Sequence, residues 1–234
     1  MDLPRFALVL PAAGSSHRFG SNKLLAMLAG EPVVSRTLGR FADHPSLAAV
    51  VLAASQPNAL RQACVKGIAA LEARGVPVIF AAGGAGRAES VRNAVREVPA
   101  DVEWVAVHDA ARPLVSRALI DRALAAAAEH GSAVPALPVS LTIKEADGPL
   151  PARVIRTIPR SRLWAMQTPQ VLRRAELLDA YDRCTVPLNT VTDDAQLLEL
   201  DGRPVWLVEG EDRNIKLTTS QDLGVAEQLL RAGT

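Results

Sequence analysis

Arg18 and Lys23 stand five residues apart at the end of a loop of small residues, Pro11-Ala-Ala-Gly14-Ser-Ser, which follows a short apolar run from Phe6 to Leu10. Small side chains let backbone N–H groups come close to a ligand. Successive N–H groups in a turn form a concavity that suits an anion. Two fixed positive charges beside such a concavity fit a polyphosphate better than a neutral ligand. The two common phosphate loops do not match. A dinucleotide loop needs G-x-G-x-x-G, whereas Gly14 is followed by Ser15, Ser16 and His17. A P-loop needs G-x-x-x-x-G-K-[ST], whereas Ser21 and Asn22 separate Gly20 from Lys23. Taken alone, the segment also fits a plain turn with two solvated basic residues.

Three further segments carry groups that could act on the same ligand. Val107-His108-Asp109-Ala110-Ala111-Arg112-Pro113 closes a predicted strand. A carboxylate there, facing a triphosphate loop, is the expected place for a magnesium ligand, since magnesium takes one or two carboxylates plus phosphate oxygens. A structural Asp109–Arg112 pair is the plain alternative. Gly83-Gly84-Ala85-Gly86-Arg87-Ala88-Glu89-Ser90 puts glycines before a helix and a serine on its first turn, which could receive a base or ribose; the alternative is a flexible connection. Lys216, after a late strand, could hold a second anionic group, as could Thr142, Lys144 and Arg160.

These segments need a frame that brings them to one edge. Leu47–Ala53, Val76–Ala81, Trp104–Val107 and Ala133–Leu137 are short and apolar enough for central strands. Asn58–Ala73, Ala88–Val98 and Ser116–Glu129 carry helical periodicity, with starts at Pro57 and Ser116 and stops at Gly75 and Gly131. Such alternation predicts an α/β fold, Rossmann-like, with a mostly parallel twisted sheet and helices on both faces. Ligands of such sheets bind outside the carboxyl ends of the strands. The Pro11 loop, the Gly83 loop and the segment after Val107 then share one rim. Residues 138–160 break the rhythm with Gly148, Pro149 and Pro151 between short β-type pieces, and read as a protruding β-arm. An isolated hairpin is marginally stable, so the arm is expected to pack on a second subunit. A strand over Pro204–Val208 and a helix over Ser220–Arg231 close the chain, which reads as one domain over 1–234.

Composition narrows the classes. A formal charge of +1 leaves no electrostatic footprint for nucleic acid, and 3% aromatic residues argue against a base-stacking surface. Cys64 and Cys184 belong to no C-x-x-C pair, so neither a zinc site nor a disulfide framework is expected. No apolar run approaches a membrane span, and no leader pattern precedes the first strand. A cytoplasmic protein is expected. Lys23, Lys66, Lys144 and Lys216 are the only lysines among 26 basic residues, which singles out the two that lie in loops near the other motifs.

In order and spacing, these segments resemble the 2-C-methyl-D-erythritol 4-phosphate cytidylyltransferases of the non-mevalonate isoprenoid pathway. The strings that carry the resemblance are Pro11-Ala-Ala-Gly14 with Arg18 and Lys23, Arg87-Ala-Glu-Ser-Val91, and His108-Asp-Ala-Ala-Arg-Pro113. Leu163-Trp-Ala-Met-Gln-Thr-Pro-Gln170, Thr192-Asp-Asp-Ala195 and Asn214-Ile-Lys-Leu-Thr218 extend it along the whole chain. Asn22, Leu24, Ala85 and Leu141 depart from the family's usual residues, and Gly20-Ser-Asn-Lys-Leu-Leu25 looks more like the molybdopterin nucleotidyltransferases.

The resemblance implies attack by a phosphate oxygen of methylerythritol phosphate on the α-phosphorus of CTP, expelling pyrophosphate. It implies that Arg18 and Lys23 stabilise the pentavalent phosphorus, and that Arg160 and Lys216 hold the incoming phosphate. Ala12, Ala13, Gly14, Gly84, Ser90, Asp109 and Ala110 would line the CTP site, with Mg2+ near Asp109. Thr142 on the arm would reach the sugar-alcohol phosphate in a partner's site, which implies a homodimer. Ribitol-5-phosphate cytidylyltransferase and molybdopterin nucleotidyltransferase are the alternatives. A non-catalytic nucleotide-binding module fits least, because all five charged candidates are present.

Overall fold

The computed structural model describes residues 3–14 and 22–232. Strand β1, Phe6–Pro11, is apolar on both sides and lies in the middle of the sheet. Phe6, Leu8 and Leu10 point into one core layer, while Ala7 and Val9 point into the other. A small ribbon, β2 (Met27–Leu28) and β3 (Glu31–Pro32), leads into helix α1 (Val33–Ala42). Then come β4 (Leu47–Ala54), α2 (Pro57–Ala63), α3 (Val65–Ala73), β5 (Val78–Ala82), α4 (Arg87–Arg96) and β6 (Trp104–Val107). The chain continues as α5 (Arg117–His130), β7 (Ser132–Pro138), β8 (Ile143–Ala146), β9 (Val154–Ile158), β10 (Trp164–Met166) and β11 (Gln170–Arg173). It ends with α6 (Arg174–Arg183), α7 (Asp194–Leu200), β12 (Leu207–Glu209) and α8 (Gln221–Ala232).

Strands β5, β4, β1 and β6 lie side by side in parallel, which is the frame the alternating pattern predicts. Helices α1, α2, α3, α5 and α8 pack on one face of the sheet, and α4, α6 and α7 on the other. The sheet is not wholly parallel. β11 inserts between β6 and β7 and runs against both, so β7 keeps the direction of β6. β12 then adds in parallel to β7, and β10 pairs antiparallel with the far end of β7. Gln170, Val171 and Leu172 are all buried, which is why β11 is an interior strand despite its four residues.

Local signals behave as expected at α5. Ser116 Oγ accepts the Leu119 N–H at 3.0 Å, a cap that satisfies one free donor of the first turn. The predicted helix over 58–73 is two helices joined at Cys64, whose φ of −105° leaves the helical region. Cys64 N still bonds to Leu60 O, and Ile68 N to Cys64 O, so the join is a kink and not a gap. The hairpin expected between 138 and 160 is β8–β9, a two-stranded sheet of its own with Ile143 opposite Ile158. Among the described residues, no helix is long and apolar enough to cross a membrane.

Candidate active site

The carboxyl ends of β1, β5 and β6 open onto a cavity of about 300 Å³. Ala12 N donates to Ala53 O at 2.8 Å and Gly83 N to Ala54 O at 3.1 Å, so both loops are moored to the end of β4. Pro11, Ala13 and Gly14 line one wall; Gly84, Ala85, Gly86 and Ser90 line another. Two glycines of the second loop have no room for a side chain, one against the first loop and one against α4. A Cβ on Gly83 would come within 2.5 Å of Ala13 Cβ, and one on Gly84 within 2.3 Å of Glu89 Cβ and 2.9 Å of Ser90 N. Ser90 Oγ accepts the Gly84 N–H at 3.0 Å and donates to Gly86 O at 2.8 Å, while Glu89 accepts the Ala85 N–H at 2.8 Å. The second loop is therefore folded onto the start of α4 by two side chains of that helix.

The charged groups meet at Asp109, just past β6. Arg112 Nε and Lys216 Nζ lie 3.3 and 3.0 Å from Oδ2, and Arg87 Nε lies 3.4 Å from Oδ1. Burial pushes the Asp109 carboxyl up, but Arg87, Lys216 and Arg112 outweigh it and hold the group below the ordinary carboxylate range. Asp109 is thus ionised, and the Asp109–Arg112 pair of the plain alternative exists within a larger cluster.

The turn that carries Asp109 is itself fixed. Thr168 Oγ1 accepts the Asp109 N–H at 3.1 Å and sits 3.1 Å from His108 Nδ1; His108 Nε2 is 3.1 Å from Arg112 O. Only the tautomer with hydrogen on Nε2 satisfies all three contacts. Burial lowers the His108 pKa to about 4, so the ring is neutral across the physiological range.

Lys216 is positioned from a distance. Asn214, fully buried, donates from Nδ2 to Thr168 O at 2.8 Å, and Arg112 donates to Asn214 O at 2.7 Å. Gln167 clasps Glu211 from both ends, donating to its carbonyl and accepting its N–H at 2.8 and 3.0 Å. Lys23 Nζ donates to Leu217 O at 3.0 Å.

A second cavity of about 240 Å³ adjoins the first and includes Arg112, Met166, Gln167, Thr168, Gln170, Thr192 and Asp193 in its lining. Arg87, Asp109 and Lys216 line both cavities.

Of the residues singled out from sequence, Lys23, Ala13, Gly14, Gly84, Ser90, Asp109, Ala110 and Lys216 line the first cavity. Ala12 is buried behind the first loop. Arg18 lies outside the described residues. Thr142 and Arg160 sit on the exposed arm and its base and line neither cavity; the Arg160 guanidinium donates to Ser140 O. Arg87, Thr168, Asn214 and Asp194 also belong to the site; none was singled out from sequence, although each lies in one of the strings that carry the resemblance.

The profile of the IspD family, 2-C-methyl-D-erythritol 4-phosphate cytidylyltransferase, matches residues 6–232. A protein of that name from Gloeobacter violaceus is 40% identical over 226 residues, covering 96% of this chain and 95% of the relative. A bifunctional IspD/IspF enzyme from Desulfotalea psychrophila is 37% identical over 227 residues; 96% of this chain spans 56% of that relative. The crystal structure of 2-C-methyl-D-erythritol 4-phosphate cytidylyltransferase from Thermus thermophilus superposes with a TM-score of 0.74 at 35% identity, covering 99% of this chain and 100% of that one.

Proposed function

The chain belongs to the 2-C-methyl-D-erythritol 4-phosphate cytidylyltransferase family, and from that premise we propose how its two cavities divide the reaction. It is a nucleotidyltransferase that joins CTP to 2-C-methyl-D-erythritol 4-phosphate, giving 4-diphosphocytidyl-2-C-methyl-D-erythritol and pyrophosphate in isoprenoid synthesis. The first cavity receives CTP, with base and ribose against the Gly84–Ser90 loop and the triphosphate against the Pro11 loop. The second receives the acceptor. The observation that carries this division is the wall they share, Arg87, Asp109 and Lys216, where two phosphate groups can meet.

In the step itself, an acceptor phosphate oxygen forms a bond to the α-phosphorus while the bond to the β-phosphate oxygen breaks and pyrophosphate leaves. The nucleophile is already anionic, so no base is needed. The barrier is the approach of two anions and the charge on the transferring group, and fixed cations lower it by electrostatics and positioning. Lys23 and Arg18 serve the α-phosphate, and Lys216 and Arg160 the incoming phosphate. Asp109 keeps Lys216 and Arg112 aimed.

Mg2+ is the proposed cofactor. Asp109 is the one carboxylate on the first cavity's lining, ionised and oxygen-bearing, which suits magnesium with phosphate oxygens completing its shell. Among the described residues no trio of His, Cys, Asp or Glu is placed to hold a metal ion, so phosphate oxygens of the nucleotide would supply most of its ligands. When bound, the ion would neutralise charge on the triphosphate.

The arm is proposed as the contact of a homodimer. Leu141, Val154 and Ile155 are 74%, 52% and 55% exposed, an apolar surface on a hairpin too small to stand alone. Thr142 and Arg160 would then complete the partner's second cavity.

The test is direct. Incubated with CTP and Mg2+, the protein should release pyrophosphate when 2-C-methyl-D-erythritol 4-phosphate is added and not with ribitol 5-phosphate. The reverse preference would overturn the acceptor assignment.

A further inference from the structure

Arg87 opens α4 and lies on the wall between the two cavities, yet the mechanism above gives it no task. Its guanidinium has two carboxylate partners held differently. Nη2 lies 2.8 Å from Asp194 Oδ2, an ion pair more than an aligned hydrogen bond, whereas Nε reaches Asp109 only at 3.4 Å. Asp194 is fully buried and stands at the start of α7. Gln170 Oε1 holds its backbone N–H at 3.1 Å, and the Tyr181 hydroxyl donates to its Oδ1 at 3.2 Å. That carboxylate cannot follow a moving partner. Asp109, by contrast, already has Lys216 and Arg112 within 3.3 Å.

The geometry points to Arg87 as a tethered phosphate ligand that contacts the anion of each cavity, with Asp194 as the residue that positions it. An incoming phosphate can take the place of Asp109 beside Arg87 while Asp194 remains as counter-ion. A buried cation with a single partner would resist that exchange, because losing the partner leaves a charge unpaired in a poorly solvated place. Two partners of unequal strength remove the obstacle. The planar guanidinium also presents several donors at once, so it can bridge a carboxylate on one edge and a phosphate on another. This inference rests on the division of the cavities proposed above.

The wild-type protein tests it without any acceptor. The 15N resonance of Arg87 Nε should shift when CTP is titrated in, and shift again on adding inorganic phosphate as a probe of the second cavity. A missing shift with CTP, or a missing second shift with phosphate, would overturn the proposal. In turnover, Arg87→Lys keeps the charge but loses the bridging fork, and kcat should fall by about 10²-fold, the usual loss for one preorganised donor. Asp194→Asn should lower kcat and weaken CTP binding together, and should abolish the Nε shift. A folded Arg87→Lys with wild-type kcat would sink the idea. Absence of turnover in the wild-type enzyme with methylerythritol phosphate would instead defeat the functional reading, while leaving the resonance shifts interpretable.

Discussion

The ammonium of Lys23 donates a 3.0 Å hydrogen bond to the carbonyl of Leu217, 194 positions further along the chain. Leu217 N in turn bonds to Ala111 O at 2.9 Å. The first loop, the Asp109 turn and the Lys216 segment are thereby tied into one unit. The cation proposed for the α-phosphate and the cation proposed for the acceptor are thus set relative to each other before any ligand arrives.

Lys23→Ala should therefore fail in turnover more than in binding. A charge that acts most strongly in the transition state lowers kcat and kcat/KM together when removed, and the loss should be about 10²–10³-fold. Steady-state kinetics with calorimetry for CTP check this. A near-normal kcat would reduce the first loop to a binding surface.

Gly84→Ala should damage the nucleotide site through space alone. The added methyl would meet Glu89 Cβ at 2.3 Å and Ser90 N at 2.9 Å, so the loop must lift from α4. Overpacking of this kind costs about 1–3 kcal/mol in stability. CTP affinity should fall about tenfold, equivalent to about 1.4 kcal/mol. Gly86→Ala is the control for stability, since a Cβ there meets nothing within 4 Å. Wild-type CTP affinity in a folded Gly84→Ala protein would remove the loop from the nucleotide site.

Asp222 fixes the chain just after Lys216 and should give the protein part of its acid sensitivity. Its Oδ2 accepts from Thr218 N, Thr218 Oγ1 and Thr219 N at 2.6, 2.9 and 2.8 Å. The Thr218 backbone bond is the main cause of a carboxyl pKa below the ordinary value, with burial opposing it. A depressed carboxylate adds stability above its unfolded pKa of about 3.9, and that stability disappears as pH falls through the folded value. Asp222→Asn should then be less stable than wild type at pH 7, by about 1 kcal/mol. The two stabilities should converge as pH falls through the depressed pKa of the folded carboxyl. Parallel curves at all pH values would deny Asp222 this role.

Much of this arrangement is legible in the sequence, and the illegible part has one cause. Buried apolar runs such as Phe6–Leu10 and Trp104–Val107 announce strands because both faces of a central strand are covered. The rim follows from the parallel order, and Gly84, Ser90, Asp109 and Lys216 from their places at strand and helix ends. Arg87, Thr168 and Asn214 escape because their work is tertiary. Each bonds a segment far away in sequence, as Asn214 does with Thr168 O, and nothing local distinguishes a bridging arginine or a clasping asparagine from a solvated one. β11 escapes for the same reason: Gln170-Val-Leu-Arg173 is too short for a period to show, and only its pairing with β6 and β7 makes it a strand.

The arm offers the sharpest test of how the site is completed. Among the described residues β8 and β9 pair only with each other, and Thr142 and Arg160 line neither cavity of the chain that carries them. Yet Leu141, Val154 and Ile155 expose apolar surface that a second copy can cover, and a twofold contact would offer that cover to each arm. If the arm completes the partner's site, a Thr142→Ala chain damages its neighbour and a Lys23→Ala chain damages itself. A dimer of one with the other then holds one site with both lesions and one with none. Mixing the two inactive variants and allowing subunits to exchange should restore about a quarter of wild-type activity. The figure follows from half of the dimers being mixed, each with one intact site. Sedimentation would confirm that deleting 141–158 gives monomers that still bind CTP. No recovery after confirmed exchange would mean that each site is built within a single chain, and Arg160 and Thr142 would lose their assigned roles.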